Sequence, residues 1–387
     1  MLNFTYNVST KIYFGKNSVE HLGEELQLHG KRILLVYGKG SIKKTGLYDT
    51  VVENFIKRRL VYYELAGVQP NPRISHVRQG IKLCREHDLE CVLAVGGGSV
   101  IDCAKTIATG VYYKGDPWEL FLLGDSSVKK ALPVGTVPTF AGTGSEMNGN
   151  AVISNEETEE KLAIHKDILR PRFSILDPTL TFSVPKNQTA AGTVDIFSHI
   201  LEQYFSPTKE AFLQDRMAES LLKTCIHYGP IVLADPSNYE ARAQLMWTSS
   251  IALNGLLGYG RVTDWATHGM EHALSALYDV THGVGLAILT PAWMDYVLEE
   301  NSVDKFAEYA RNIWQIEGTN DKDVAQKGIT RTREFFTQLG LPQTLREVGV
   351  EDTSLVKIAE KTIAHGDVGK FKKLGKQDVL TILKKAL

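Results

Sequence analysis

Asp195 and His199 stand four residues apart in a stretch of helical periodicity, so both side chains leave one face of the helix. His268 and His272 repeat that spacing on a later helix. His282 follows in Asp279-Val280-Thr281-His282-Gly283, which reads as a break between helices. One carboxylate and several imidazoles, without a thiolate, suit Zn²⁺, Fe²⁺, Mn²⁺ or Co²⁺. A structural zinc site more often contains cysteine, so the set points to a catalytic ion. Four protein ligands leave room for a substrate only if coordination expands to five or six. Ferrous iron accepts that readily, which favours Fe²⁺, with Zn²⁺ next. An i,i+4 Asp–His pair also describes a buried hydrogen-bonded pair, so spacing alone does not choose among the histidines. His21, His29, His76, His87, His227 and His365 lack partners in sequence and read as surface or core residues.

Three glycine turns supply the second kind of chemistry. Gly38-Lys39-Gly40-Ser41 and Gly96-Gly97-Gly98-Ser99 each close an apolar run and open a helix, and Thr139 to Glu146 follows another such run. Glycine lets backbone N–H groups approach a phosphate, and a helix N-terminus adds donors and a favourable dipole. None matches G-x-G-x-x-G, and any one alone reads as an ordinary tight turn. Three at strand ends within one domain predict a nucleotide diphosphate site.

The elements that must position these residues fall into two textures. Apolar runs at 33–37, 60–63, 91–95 and 133–137 are separated by helical stretches such as 46–58 and 74–87, the pattern of βαβ units and a mostly parallel, Rossmann-like sheet. Phe4 to Phe14 reads as a β-rich opening, Ala151 to Ile164 as a hairpin, and Phe173 to Leu176 as one more short strand. After Pro185 the periodicity is helical, at 187–205, 213–227, 240–257, 263–278, 303–314 and 322–339. The expected division is an α/β dinucleotide-binding domain over 1–184 and an all-helical metal and catalytic domain over 185–387. A chain of 387 residues exceeds the size at which one core stops growing.

Composition excludes several classes of partner. Lys and Arg total 43 against 45 Asp and Glu, a net charge of −2, which gives no footprint for nucleic acid or an anionic membrane. No apolar run reaches spanning length, and the N-terminus lacks the basic and apolar regions of a signal peptide. Cys84, Cys91, Cys103 and Cys225 form no CxxC pair. They fit a reducing compartment, and the expected location is the cytoplasm. The sequon Asn7-Val8-Ser9 carries no meaning without a secretory signal.

These residues together resemble the iron-containing (group III) alcohol dehydrogenase family, most closely its butanol dehydrogenase and broad aldehyde reductase branch. The likeness spans essentially the whole chain. It rests on Gly96-Gly97-Gly98-Ser99 with Asp102 and Lys105, and on Thr139 to Glu146. It rests also on Thr193-Val194-Asp195-Ile196-Phe197-Ser198-His199, on Asp264-Trp265-Ala266-Thr267-His268 running to Glu271-His272, and on Thr281-His282-Gly283. The resemblance implies an active site between the two domains, with Asp195, His199, His268 and His282 as metal ligands and His272 as a non-ligand histidine near the nicotinamide. It implies pyrophosphate contacts at Gly97, Gly98 and Ser99 with Asp102 beside them. Gly38, Gly40, Ser41, Thr139, Thr143 and Ser145 complete the expected cofactor set. Homodimers are common in the branch, and the β-rich N-terminus is the expected contact.

The expected reaction is hydride transfer between NAD(P) and a short-chain primary alcohol or aldehyde, butanol or butanal in kind, with the metal polarising the substrate oxygen. Family members that require NAD often carry an acidic residue after the first strand, where it binds the ribose 2′-hydroxyl. The turn here has Lys39 and Ser41 and no carboxylate, which favours NADP(H) over NAD(H). The alternative is a metal-dependent polyol or sugar-phosphate dehydrogenase or synthase on the same fold. It would need basic residues at the site, where the sequence offers Phe197, Leu256, Leu257, Tyr259, Trp265 and Trp293, with Arg261 the exception. A hydrolase with a metal-activated water and a non-catalytic nucleotide sensor are the remaining rivals.

Overall fold

The computed structural model describes residues 1–387. Eight strands form: β1 (Lys11–Phe14), β2 (Arg32–Tyr37), β3 (Val61–Leu65), β4 (Cys91–Gly96), β5 (Val134–Pro138), β6 (Asn150–Asn155), β7 (Glu160–His165) and β8 (Phe173–Leu176). Six build one sheet in the order β1-β8-β5-β4-β2-β3, and every neighbouring pair is parallel. β6 and β7 form the expected hairpin, an antiparallel pair in which Ala151 faces Ile164.

The apolar runs become central strands because helices cover both faces of the sheet. Ile33, Leu35 and Tyr37 of β2 pack with Val51 and Phe55 on one side. Leu34 and Val36 point the other way, into a core with Val77, Ile81 and Ile107. The strand order reverses at one place: β2 is followed outward by β3, whereas β4 and β5 continue in the opposite direction. The crevice at the carboxyl ends of β2 and β4 is therefore the topological switch point. The glycine turns after β2, β4 and β5 sit at the same ends of three adjacent strands.

The other half is helical. Lys186–Tyr204 is buried all round from Thr189 onward, as expected of a helix at the centre of a bundle. Ala266–Tyr278 and His282–Val297 pack near it in the same unit, with Phe212–Ala234, Val303–Trp314 and Asp321–Gln338 around them. Two expected bounds shift for identifiable reasons. The helix after 212 runs through Pro230 to Ala234, and the one after 239 stops at Leu253, where Gly255 takes φ 103°. No helix is long and apolar enough to cross a membrane.

The chain separates into two compact units whose borders are not the two contiguous halves 1–184 and 185–387. One comprises Asn7–Val184 with Pro236–Asn254, and the other comprises Met1–Tyr6, Pro185–Asp235 and Gly255–Leu387. Two segments change sides. The β-rich opening becomes a strand only over Lys11–Phe14. Ahead of it, Phe4 stacks on Tyr259 and Tyr6 meets the same ring edge-on, while Leu2 N–H donates to Gly260 O at 2.8 Å. Its aromatic residues find a ring to pack on instead of a strand to pair with. The helix Tyr239–Leu253, capped by Asn238, belongs to the sheet unit. Its Ser249 Oγ accepts the N–H groups of Gly142 and Gly144, at 3.0 and 3.2 Å.

Candidate metal centre

Asp195 and His199 leave the buried helix Lys186–Tyr204 on one face, and His268 and His282 come from the first turns of Ala266–Tyr278 and His282–Val297 in the same unit. Their ligand atoms all lie within 4.8 Å of one another. Asp195 Oδ1 is 3.5 Å from His199 Nδ1, 3.9 Å from His268 Nε2 and 3.5 Å from His282 Nε2. The rings of His199 and His268 stack with centroids 4.6 Å apart. His272 stands outside the cluster, its ring 6.5 Å from that of His268 and 5.9 Å from that of His282. The i,i+4 relation had placed it beside His268, but the break before His282 brings that residue in instead.

Local sequence explains the close approach. A Cβ on Gly283 would lie 2.0 Å from Ala191 O, so only glycine lets the start of His282–Val297 touch the backbone of the buried helix. On the other side Trp265 holds φ 74°, a left-handed conformation rare for a bulky residue, directly before the helix that carries His268. Its indole donates to Thr263 Oγ1 at 2.7 Å and its ring meets both His199 and His268 edge-on.

Two carboxylates surround the cluster that the spacing of histidines did not reveal. Glu202, on the same helix as Asp195 and His199, bonds His268 Nδ1 and accepts Thr267 N–H at 2.6 Å. Glu271 bonds His282 Nδ1 and accepts from Ser275 Oγ. A signal for Glu202 was present, since it lies three residues beyond His199 on the same helical face. Burial pushes His268 towards lower pKa, but the Glu202 carboxylate, with Asp195 and Glu271 behind it, outweighs that and leaves the pKa raised. Asp264 lies just upstream; burial and the nearby Glu202 push its pKa up to about 6, against three backbone N–H bonds from Ala266, Lys370 and Phe371.

This donor set fits a divalent ion. His268 Nε2 is buried, makes no hydrogen bond, and faces Asp195. Three buried carboxylates and three imidazoles form an anionic site of oxygen and nitrogen donors, which a divalent cation would balance.

The expected pocket residues resolve differently. Phe197 and Trp293 are fully buried in aromatic packing, the first with Phe335 and Phe336, the second with Phe205 and Phe371. They are core residues, because the helices that carry them are wrapped on all sides. Leu257 is buried too, and Tyr259 is covered by Phe4 and Tyr6. Of the six, Trp265 touches the cluster. Arg261, the basic exception, is buried against Asp215 at 2.9 Å and donates to the carbonyls of Gln203 and Ala211.

In the sheet unit the residues of the glycine turns divide into two groups. Gly97 is the N-cap of the helix Gly98–Gly110, and its carbonyl takes the N–H groups of Val100 and Ile101. Gly98 packs so closely on Thr143 that a Cβ would lie 2.4 Å from its Oγ1. Gly97, Ser99, Thr139 and Thr143 stay partly exposed, as do Gly38 and Gly40, while Lys39 and Ser41 are exposed outright. Asp102 and Ser145 instead face inward. Ser145 Oγ donates to Asp102 Oδ1 at 2.5 Å, Val152 N–H donates to Asp102 Oδ2 at 3.0 Å, and Lys105 Nζ donates to Ser145 Oγ at 2.8 Å. Lys105 is fully buried and also reaches Asn148 O and Asn150 O. These side chains tie the turn after β5 to the helix after β4.

Comparison with known proteins returns one family for both halves. Residues 9–178 match the iron-containing alcohol dehydrogenase model, and residues 189–387 match the C-terminal model of the Fe-containing alcohol dehydrogenase family. The chain is 53% identical, over the full length of both proteins, to NADH-dependent butanol dehydrogenase B of Clostridium acetobutylicum. It is 40% identical to the NADPH-dependent aldehyde reductase YqhD of Escherichia coli, with 95% of this chain and 94% of that protein covered. The crystal structure of NADH-dependent butanol dehydrogenase A from Thermotoga maritima superposes with a TM-score of 0.95 at 40% identity, covering 100% of this chain and 99% of that one.

Proposed function

This chain belongs to the iron-containing alcohol dehydrogenase family and is a metal-dependent, NAD(P)-linked alcohol dehydrogenase; from that premise we propose that Asp195, His199, His268 and His282 hold its ion and that short-chain primary alcohols and aldehydes are its substrates. The observation that carries the reading is the convergence of one carboxylate and three imidazoles within 4.8 Å, with His268 Nε2 buried and not hydrogen-bonded. When bound, the ion supplies Lewis acidity to the substrate oxygen and the nicotinamide gives or takes the hydride. The chain's own residues do the rest. The four ligands come from the ends and centre of packed helices, so their donor atoms are fixed before anything binds. Trp265 packs on two of the imidazoles and keeps water from that side. His272, partly exposed and outside the cluster, is suited to carry a proton to or from the substrate oxygen at a ring nitrogen.

Fe²⁺ is the proposed ion, with Zn²⁺ the alternative, because four protein ligands require a coordination sphere that expands. The sugar-phosphate reading loses its one basic residue, since the guanidinium of Arg261 is already engaged by Asp215 and two carbonyls. The pyrophosphate is assigned to the turns after β4 and β5, at Gly97, Gly98, Ser99, Thr139 and Thr143, with Asp102 and Ser145 bracing them from beneath.

For the cofactor the proposal is a preference for NADP(H), based on exposed Lys39 and Ser41 in a turn with no carboxylate of its own. The names of relatives divide on this point: those of the two Clostridium butanol dehydrogenases, 53% and 50% identical, specify NADH, and that of the E. coli reductase specifies NADPH. Measuring kcat/KM with both cofactors decides it, and a value for NADH equal to or above that for NADPH overturns the preference. A homodimer in the cytoplasm completes the proposal. The edge position of β1, with Phe14 and Trp247 exposed beside it, offers a second copy an open strand, and all four cysteines are free. Light scattering of the purified protein checks the dimer.

The central test is NADPH oxidation with butanal, with and without chelator, on the wild type and on His268→Ala. The variant is expected to lose metal and activity together. Full turnover by a metal-free variant would refute the site. His272→Ala is expected to keep its metal and lose about 100-fold in kcat.

A further inference from the structure

We propose that Glu202 and Glu271 are positioning residues that set the tautomer of two imidazoles and thereby the affinity for the ion. The inference rests on the reading of Asp195, His199, His268 and His282 as ligands. A neutral imidazole carries one N–H, and the nitrogen that bears it is fixed by the acceptor it finds. In both His268 and His282 the Nδ1 side faces a glutamate and the Nε2 side faces Asp195. With the proton held at Nδ1, each Nε2 presents its lone pair to the common point.

The two glutamates act in sequence along the bundle. Glu202, on Lys186–Tyr204, reaches the histidine of the next ligand-bearing helix, Ala266–Tyr278. Glu271, on Ala266–Tyr278, reaches the histidine that opens His282–Val297. Each carboxylate thus registers one ligand-bearing helix against the following one. Both are essentially without solvent exposure, at 1% and 0%. Their second oxygens are also engaged, Glu202 by Thr267 N–H and Glu271 by Ser275 Oγ.

The difference between those partners gives a clean experiment. Glu202 also satisfies an N–H at the start of a helix, so replacing it disturbs the fold as well as the ligand. Glu271 bonds the side chains of His282 and Ser275, and Glu271→Gln keeps an acceptor for His282 while its amide can donate to Ser275 Oγ. Metal-free wild type, Glu271→Gln, Glu271→Leu and Glu202→Gln are titrated with Co²⁺ and Zn²⁺ against a competing chelator, and the metal-free forms are melted. Glu271→Gln is expected to bind metal about 10- to 100-fold more weakly with its metal-free melting temperature held, and Glu271→Leu more weakly still. The Co²⁺ absorption bands of both Glu271 variants are expected to shift as the orientation of His282 relaxes. Glu202→Gln is expected to lose both affinity and metal-free stability. If Glu271→Gln and Glu271→Leu bind as tightly as wild type, or if only their melting temperatures fall, the positioning role is overturned. If the wild type binds neither ion, the ligand assignment itself fails, and the two failures are told apart by that control.

Discussion

Gly283 has no side chain to yield where the Ala191 carbonyl comes closest, and the atom it would strike belongs to backbone. Gly283→Ala is therefore expected to push the start of His282–Val297 away from the buried helix at a cost of about 1–3 kcal/mol. His282 moves with it, so metal content should fall alongside the melting temperature. Elemental analysis checks this, and a variant with full metal content would show that the two helices can part without moving the ligand. Lys105 allows a second prediction at this scale. Burial pulls its pKa from the usual 10.5 to about 7, against the carboxylates of Asp102 and Glu146. Between those values the unfolded chain holds more protons than the folded one, so the folded state gains stability as pH rises through this window. Lys105→Met removes that dependence and leaves the carbonyls of Asn148 and Asn150 without their donor, a loss of about 3 kcal/mol. Urea unfolding at pH 7 and pH 9 should find the variant less stable at both, with the gap to wild type wider at pH 9. A gap that does not change with pH would mean that Lys105 titrates as it does in water.

At the scale of elements, what the sequence discloses depends on whether the determining contact is local. The i,i+4 spacing of Asp195 and His199 and the apolar runs of β2, β4 and β5 are local patterns, and they emerge as a shared helical face and as central strands. The family likeness was needed to prefer His282 over His272, because that choice depends on how a helix break folds back. Glu202 and Glu271 were harder to see, since a buried glutamate and an exposed one look alike until the partner histidine is in place. The inward turn of Asp102 and Ser145 was hidden for the same reason: their bonds cross between the helix after β4 and the turn after β5. Phe197 and Trp293, read as pocket residues from their position near the ligands, lie in the core because helical faces were assigned without knowing the neighbours. Phe4 and Tyr6 read as strand residues from composition, yet their rings pack on Tyr259, more than 250 positions away in the chain.

At the scale of the whole molecule, the chain passes between its two units at 6/7, 184/185, 235/236 and 254/255. The sheet unit is incomplete without Pro236–Asn254. Ser250 Oγ donates to the buried Glu146 carboxylate, Ser249 Oγ holds the turn after β5, and Asn254 O accepts from the buried Arg170 at 2.9 Å. A fragment spanning 7–184 is accordingly expected to melt without a cooperative transition, and one with 236–254 joined to it by a flexible linker to recover one. Calorimetry distinguishes them, and a sharp transition in the shorter fragment would show that the returning helix is dispensable. The same return sets a timetable for the nascent polypeptide. Domains made first usually fold first, as translation proceeds. Here the first unit waits for about eighty further residues after its last strand has been made, from Leu176 to Asn254, with a parallel sheet that is slow to form by nature and apolar on both faces. That interval exposes the half-made sheet to aggregation, so chaperone supply during synthesis should raise its soluble yield more than any change to the finished fold.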